Sequence, residues 1–275
     1  MKHHKYRKDS LHVLIPLLAM VLTFSACEPE TPIRDADYPD QVIYLPAAVG
    51  GWFVINEIAR RIGDPPFPGN PFRYLVDVEN LEFIVPLGVY RAVIDNIGGF
   101  IVNIQVNNDT INDIIAAGDT IITLLPSNQY TMVNSVNMLD GEELAKFDLV
   151  IDLDFLRNNY PSAVYALGVS ISSPDRESNP DLSTAIVVIH TKIMKPTADF
   201  TYSPDGTDPN TIDFLNNSVM ATSYSWDFGD GSEASDEEDP AHAYATSGTY
   251  TVILTAIGIT GDEDKSILTT DITIP

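Results

Sequence analysis

From Gln41 onward, short apolar runs rich in β-branched residues are separated by clusters of Gly, Pro, Asn and Asp. Val42–Leu45, Leu81–Val85, Phe100–Val106, Thr120–Leu124, Leu149–Leu153, Val164–Ser172 and Ala185–Lys192 each read as strands. In Phe100–Val106, Ile101, Asn103 and Gln105 fall on one face and Val102, Ile104 and Val106 on the other. This spacing predicts a β-sandwich rather than parallel βαβ units. Helical period is scarce. Thr110–Ala117 predicts a short helix capped by Asp109 or Thr110, and Asp154–Asn158 one further turn. Val54–Ile62 also has helical spacing, but Pro65, Pro66, Pro68, Gly69 and Pro71 follow it. Gly50–Phe72 therefore reads as an irregular excursion between two strands, with room for one helical turn.

Lys195-Pro196 marks the start of a second pattern. Ile212–Leu215, Gly248–Leu254 and Ser266–Ile274 read as strands, and Tyr250, Val252 and Leu254 alternate cleanly. Residues 196–275 predict a compact all-β module without helix, so the whole is two β-sandwiches in tandem, 41–194 and 196–275.

The N-terminus is different in kind. Lys2, Lys5, Arg7 and Lys8 precede the nearly unbroken apolar run Leu11–Phe24, which is too short to span a bilayer comfortably but matches a secretory signal. Small residues then lead to Cys27, the one cysteine of the chain. This arrangement resembles the lipobox of bacterial lipoproteins, which implies removal of residues 1–26 and lipidation of Cys27. An ordinary signal followed by a free thiol is the other reading, although a lone thiol in a secreted protein calls for an explanation. Residues 27–40 form an acidic, Pro-containing tether. Glu28-Pro29-Glu30 partly resembles the outer-leaflet export signal of Bacteroidetes lipoproteins; a plain solvated tether fits as well.

Charge narrows the partners. The chain has 15 Lys+Arg against 39 Asp+Glu. Removing residues 1–26 takes away four basic residues and Asp9, leaving 11 against 38, a formal −27. Nucleic acid is excluded as a partner, because Lys and Arg must neutralise its phosphates. The membrane must be held by acyl chains rather than by a basic patch.

Little points to catalysis. His3, His4 and His12 precede Cys27, so His190 and His242 remain, one in each module, which disfavours a shared metal site or triad. No Gly-x-Ser-x-Gly elbow, phosphate loop or dinucleotide fingerprint occurs. Asp152 and Asp154 would share one side of a strand, but glycosidases need a cleft and a raised pKa besides two carboxylates. Asp205–Asp208 and Asp262–Asp264 are oxygen-rich turns that fit weak Ca²⁺ binding or simple solvation, without EF-hand spacing. The chain is accordingly expected to be no enzyme and to need no metal or cofactor. For sugar stacking, the candidates are Trp52, Phe53, Phe67 and Phe72, with Arg60 beside them, all on the Gly50–Phe72 excursion.

Two resemblances add context. Trp226-Asp227-Phe228-Gly229-Asp230-Gly231, followed by Pro240, His242, Tyr244, Gly248, Tyr250 and Val252, resembles the PKD (polycystic kidney disease) domain, an immunoglobulin-like sandwich. It implies that Trp226 and His242 are structural, with Trp226 in the inter-sheet core. Val42–Pro46, Pro86–Arg91, Asn107-Asn108-Asp109, Leu125–Tyr130 and Tyr165–Val169 resemble domain of unknown function 1735, a β-sandwich of Bacteroidetes outer-membrane lipoproteins. That family often has a proline where Ala166 or Leu167 stands here. The resemblances imply a lipid-anchored, surface-exposed protein of the bacterial outer membrane. Its expected role is binding neutral polysaccharide or assisting outer-membrane glycan-uptake proteins. The alternative is a structural or adhesive lipoprotein with both sandwiches as spacers, and a hydrolase is a third reading.

Overall fold

The computed structural model describes residues 42–58, 67, 70, 72–92 and 96–275. Residues 1–26, Cys27 and the tether lie outside these. The elements of the first sandwich are, in order, β1 (Val42–Tyr44), β2 (Trp52–Ile55), β3 (Leu75–Asp77), β4 (Glu82–Ala92), β5 (Phe100–Val106), α1 (Asp109–Ala116), β6 (Ile122–Leu124), β7 (Tyr130–Met132), β8 (Ser135–Met138), β9 (Leu144–Asp152), α2 (Leu153–Asn158), β10 (Val164–Ser172), β11 (Glu177–Ser178) and β12 (Thr184–His190). Among the described residues they form two six-stranded sheets. One runs β11-β1-β4-β9-β7, with β3 beside β4; the other runs β2-β12-β10-β5-β8, with β6 beside β10.

Alternation decides what each strand buries. Phe83, Val85, Leu87 and Val89 of β4 all point into the core between the sheets. Strand β4 is longer than the pattern predicts, because Pro86 and Gly88 read as breakers. Pro86 is tolerated for a reason of register. The Arg91 amide donates to the Glu143 carbonyl, so odd residues of β4 hydrogen-bond toward β9 and even ones away from it. The missing N–H of Pro86 therefore faces the gap between β3 and β1, where β4 has no neighbour to bond.

β10 is buried on both faces, since α1 lies over its outer side. Ile111 of α1 packs with Val164, Ala166, Ile186 and Val188 there. The helix starts at Asp109 without a side-chain cap. Instead the Asn108 Oδ1 accepts the Gly168 amide at 2.9 Å. A side chain at Gly168 would overlap the Asn107 carbonyl, so glycine is what allows this turn to lie on the sheet.

The second sandwich comprises β13 (Phe200–Pro204), β14 (Thr211–Asn216), β15 (Ser223–Asp227), β16 (Ala241–Ala243), β17 (Gly248–Gly258) and β18 (Gly261–Ile274). They form three-stranded sheets β13-β14-β16 and β15-β17-β18, and residues 200–274 contain no helix. Trp226 is 0 % exposed, between Phe200 and Phe214 at ring distances of 5.1 and 5.4 Å. Its Nε1–H donates to the Glu237 carbonyl at 2.9 Å, which satisfies the indole's polar end. Gly229, at φ +77°, presses on the Thr251 carbonyl so closely that no side chain fits.

The two sandwiches share a joint. The β17–β18 hairpin outruns its own core, and Ile259 at its tip is 4 % exposed within the hydrophobic core of the first sandwich. Next to it, Arg157 of α2 bonds Asp264 at 2.5 Å, Asp154 at 2.9 Å and Glu263 at 3.0 Å. The Asp264 carboxylate, 7 % exposed, also meets Lys195 at 3.4 Å and accepts the Thr260 hydroxyl at 3.0 Å. Burial alone would raise its pKa. The Arg157 and Thr260 hydrogen bonds, with the charges of Arg157 and Lys195, outweigh burial and hold it below the ordinary carboxylate range.

Candidate functional site

The aromatic residues expected on one excursion are dispersed. Trp52 and Phe53 stand in β2, not in a loop, because Trp52–Ile55 pairs in parallel with Ile186–Ile189 of β12. That ladder overrides both the Gly50-Gly51 turn signal and the helical spacing that starts at Val54. Phe53 points into the core, with the Arg73 guanidinium 5.1 Å from its ring and donating to the Val54 carbonyl. Phe67 is buried as well, its ring packed over Gly88 of β4. Phe72 is half-buried, its amide donating to Asn70. Arg60 lies outside the described residues. Trp52, 36 % exposed, keeps an accessible ring. It shares the outer face of its sheet with Val54 and α1, whereas Phe67 sits on the outer face of the other sheet. A joint stacking surface of Trp52, Phe53, Phe67 and Phe72 is therefore not formed, because burial claims Phe53 and Phe67.

The acidic candidates serve the fold. Asp152 ends β9 and caps α2 by accepting the Phe155 amide at 2.9 Å, while Asp154 lies in the helix and binds Arg157. They do not share a strand face. Asp205 accepts from Thr207, and Asp208 from Asn210 and Thr211. Glu263 and Asp264 are taken up by Arg157. Among the described residues, no three His, Cys, Asp or Glu side chains converge to hold a metal. His242 stacks on Phe228 at 4.0 Å, its Nε2 2.8 Å from Asp230. Hydrogen bonds to Ser232, more than offsetting burial, together with His242 bring the Asp230 pKa to about 2. His190 is shifted down by burial and by Lys192.

A different constellation occupies the outer face of the β11-β1-β4-β9-β7 sheet. Tyr44 of β1 and Tyr90 of β4 stand directly opposite each other, with rings 5.5 Å apart and tilted by 51°. The Tyr90 hydroxyl donates to Glu143 Oε2 at 2.6 Å, and the Asn96 amide donates to Oε1 at 3.0 Å. These bonds hold the Glu143 carboxyl below its ordinary range, Tyr90 contributing most, and the same bond raises the Tyr90 phenol. Under this surface Arg91, 1 % exposed, donates to the carbonyls of Ile97, Gly98, Leu139 and Glu142. Its ring partner is Phe100, 5.2 Å away. Tyr44 falls in the strand Val42–Leu45 read from the sequence, whereas Tyr90 lies beyond Leu81–Val85, past the breakers Pro86 and Gly88, and no local signal marks the two as neighbours.

Residues 194–274 match the family model described as PKD domain. Among solved structures, the PKD1 domain of the Vibrio cholerae metalloprotease PrtV is 30% identical, covering 29% of this chain and 96% of that one, with TM-score 0.26. A candidate carbohydrate-binding protein from Bacteroides ovatus is 11% identical over 84% of this chain and 70% of its own, with TM-score 0.39. A multidomain B. ovatus protein including domain of unknown function 1735 is 10% identical, covering 72% of this chain and 64% of that one, with TM-score 0.33. With Trp226 of the Trp226–Gly231 run at the centre of its core, the segment 194–274 is a PKD domain.

Proposed function

We propose that this chain is a lipid-anchored, non-catalytic binding protein of the bacterial outer-membrane surface, which captures neutral polysaccharide for an uptake system. The observation that carries the reading is the placement of Cys27, after an apolar run and before an acidic tether that leads into two β-sandwiches. Residues 28–41 reach about 50 Å when extended, which lets the sandwiches sample polymer outside the bilayer. The polar groups that would suggest catalysis support this reading by their structural use, with Asp152 on a helix cap, His242 on Phe228 and Asp264 on Arg157.

Fractionation of a producing bacterium tests the anchor. Wild type is expected to stay with the membrane through a carbonate wash and Cys27→Ala to be released, since no other lipid-soluble group would hold it. A membrane-bound Cys27→Ala protein would end the lipoprotein reading, and sugar release from any polysaccharide would end the non-catalytic one. One observation favours a second reading, the spacer: the Arg157–Asp264 joint fixes the sandwiches to each other as a rigid arm would require.

A further inference from the structure

Resting on that glycan-capture reading, we propose that Tyr44, Tyr90, Glu143 and Asn96 form the sugar subsite, taking one neutral hexopyranose unit of a polysaccharide. A pyranose offers a flat face of C–H groups and a rim of hydroxyls, so its site needs an aromatic surface beside fixed polar groups. Both are present. Tyr44 and Tyr90 are both half-buried, with their rings inclined to each other rather than stacked face to face. Among the described residues, the partner sheet has its outer face covered by α1, and neither α1 nor α2 packs on the outer face of this one.

The polar rim is already oriented. Glu143 Oε1 and Oε2 each accept one internal hydrogen bond, and each retains acceptor capacity for a sugar hydroxyl. The Tyr90 oxygen, its proton committed to Glu143, is left as an acceptor too. Such an arrangement lowers the entropy lost on binding. Phe67, seated over Gly88 two residues from Tyr90 on the same strand face, is buried and adds no open surface to the subsite.

A purely structural role accounts poorly for this network. Arg91 already ties the two turns at residues 97–98 and 139–142 together from beneath. The Tyr90–Glu143–Asn96 bonds add a second tie at the solvent-exposed side, where stability gains are small. They do fix a carboxylate and a phenol relative to a ring. The formal charge of −24 selects a neutral sugar over an acidic one.

Affinity electrophoresis of the whole chain through gels containing a neutral glucan, a neutral mannan or polygalacturonate tests the site. Tyr44→Ala and Glu143→Gln are expected to weaken retention by the neutral polymer at least about tenfold. Tyr90→Phe, which keeps the ring, should lose less, and Trp52→Ala should bind as wild type does. Glu143→Gln and Tyr90→Phe change single atoms at the surface, so their thermal unfolding should match wild type and a loss of retention reports the site. Retention unchanged in Tyr44→Ala, Tyr90→Phe and Glu143→Gln overturns the subsite while glycan capture stands. Retention lost in Trp52→Ala alone moves the site to β2. Retention by polygalacturonate alone overturns the neutral class. A wild-type chain retained by no polymer overturns glycan capture, and the subsite with it.

Discussion

Replacing Arg157 by Met keeps most of the side-chain stem and removes the guanidinium that joins α2 to the β17–β18 hairpin. Its partners differ in weight. Asp154 and Glu263 are about half exposed, at 48 % and 54 %, and solvent screens both pairs to well under about 1 kcal/mol each. Asp264 is another matter, because its carboxylate is 7 % exposed and loses its closest cation. Removing one partner of a buried pair costs about 3–5 kcal/mol. Two features reduce that figure here: Arg157 is itself 16 % exposed, and Lys195 with the Thr260 hydroxyl stays on Asp264. The expected loss is about 2–3 kcal/mol. Each sandwich holds one tryptophan, so Trp52→Phe leaves Trp226 as a reporter of the second sandwich alone. In that background, urea unfolding followed by fluorescence and by far-ultraviolet circular dichroism should coincide, because the joint couples the two cores. Adding Arg157→Met should lower the midpoint and separate the two curves. A double-mutant cycle with Asp264→Asn should return a coupling energy of about 1.5–3 kcal/mol. Coincident curves with a loss below about 0.5 kcal/mol would refute the reasoning and make the ion pair incidental.

Trp226→Ala should cost about 3–5 kcal/mol in denaturant unfolding, since it empties the centre of a core that includes Phe200 and Phe214; a variant as stable as wild type would contradict that placement. Acid should destabilise the chain in a defined window. Asp264 and Asp230 have folded pKa values below their unfolded ones, so their stabilisation is complete above about pH 4. It is lost as pH falls through the folded values, toward about 2 for Asp230. Urea midpoints measured from pH 7 to pH 2.5 should show this fall, and Asp264→Asn should flatten part of it.

Much of the fold was legible because the informative signals are local. Phe100–Val106 and Val164–Ser172 carry enough β-branched or alternating residues to define strands with the boundaries observed. Trp226 was legible as a core residue through the run around it. β2 was not, since a glycine pair before Trp52 mimics a turn and the ladder that makes it a strand comes from β12, far along the chain. β7 and β8 are three and four residues long, too short for periodicity to rise above their polar surroundings. The site suffered most. Tyr44 and Tyr90 meet only through the β1–β4 register, and the carboxylate that joins them lies 53 residues beyond Tyr90. Phe53 and Phe67 have the composition of a binding loop, but burial is set by sheet geometry that no neighbouring residue announces.

The seat of Ile259 in the first core has a consequence for the order in which the molecule is completed. Chains are made from the N-terminus, and domains fold as they emerge. Residues 42–194 exist in full while the residue that closes their core is still 65 positions from synthesis. A chain behind a secretory signal reaches its folding compartment in the same N-to-C order, so until Ile259 arrives the core of the first sandwich lacks the residue that the hairpin tip supplies. The two modules are therefore not finished one after the other: the last hairpin to be made completes both, so a chain cut short before Ile259 damages the half that was already built.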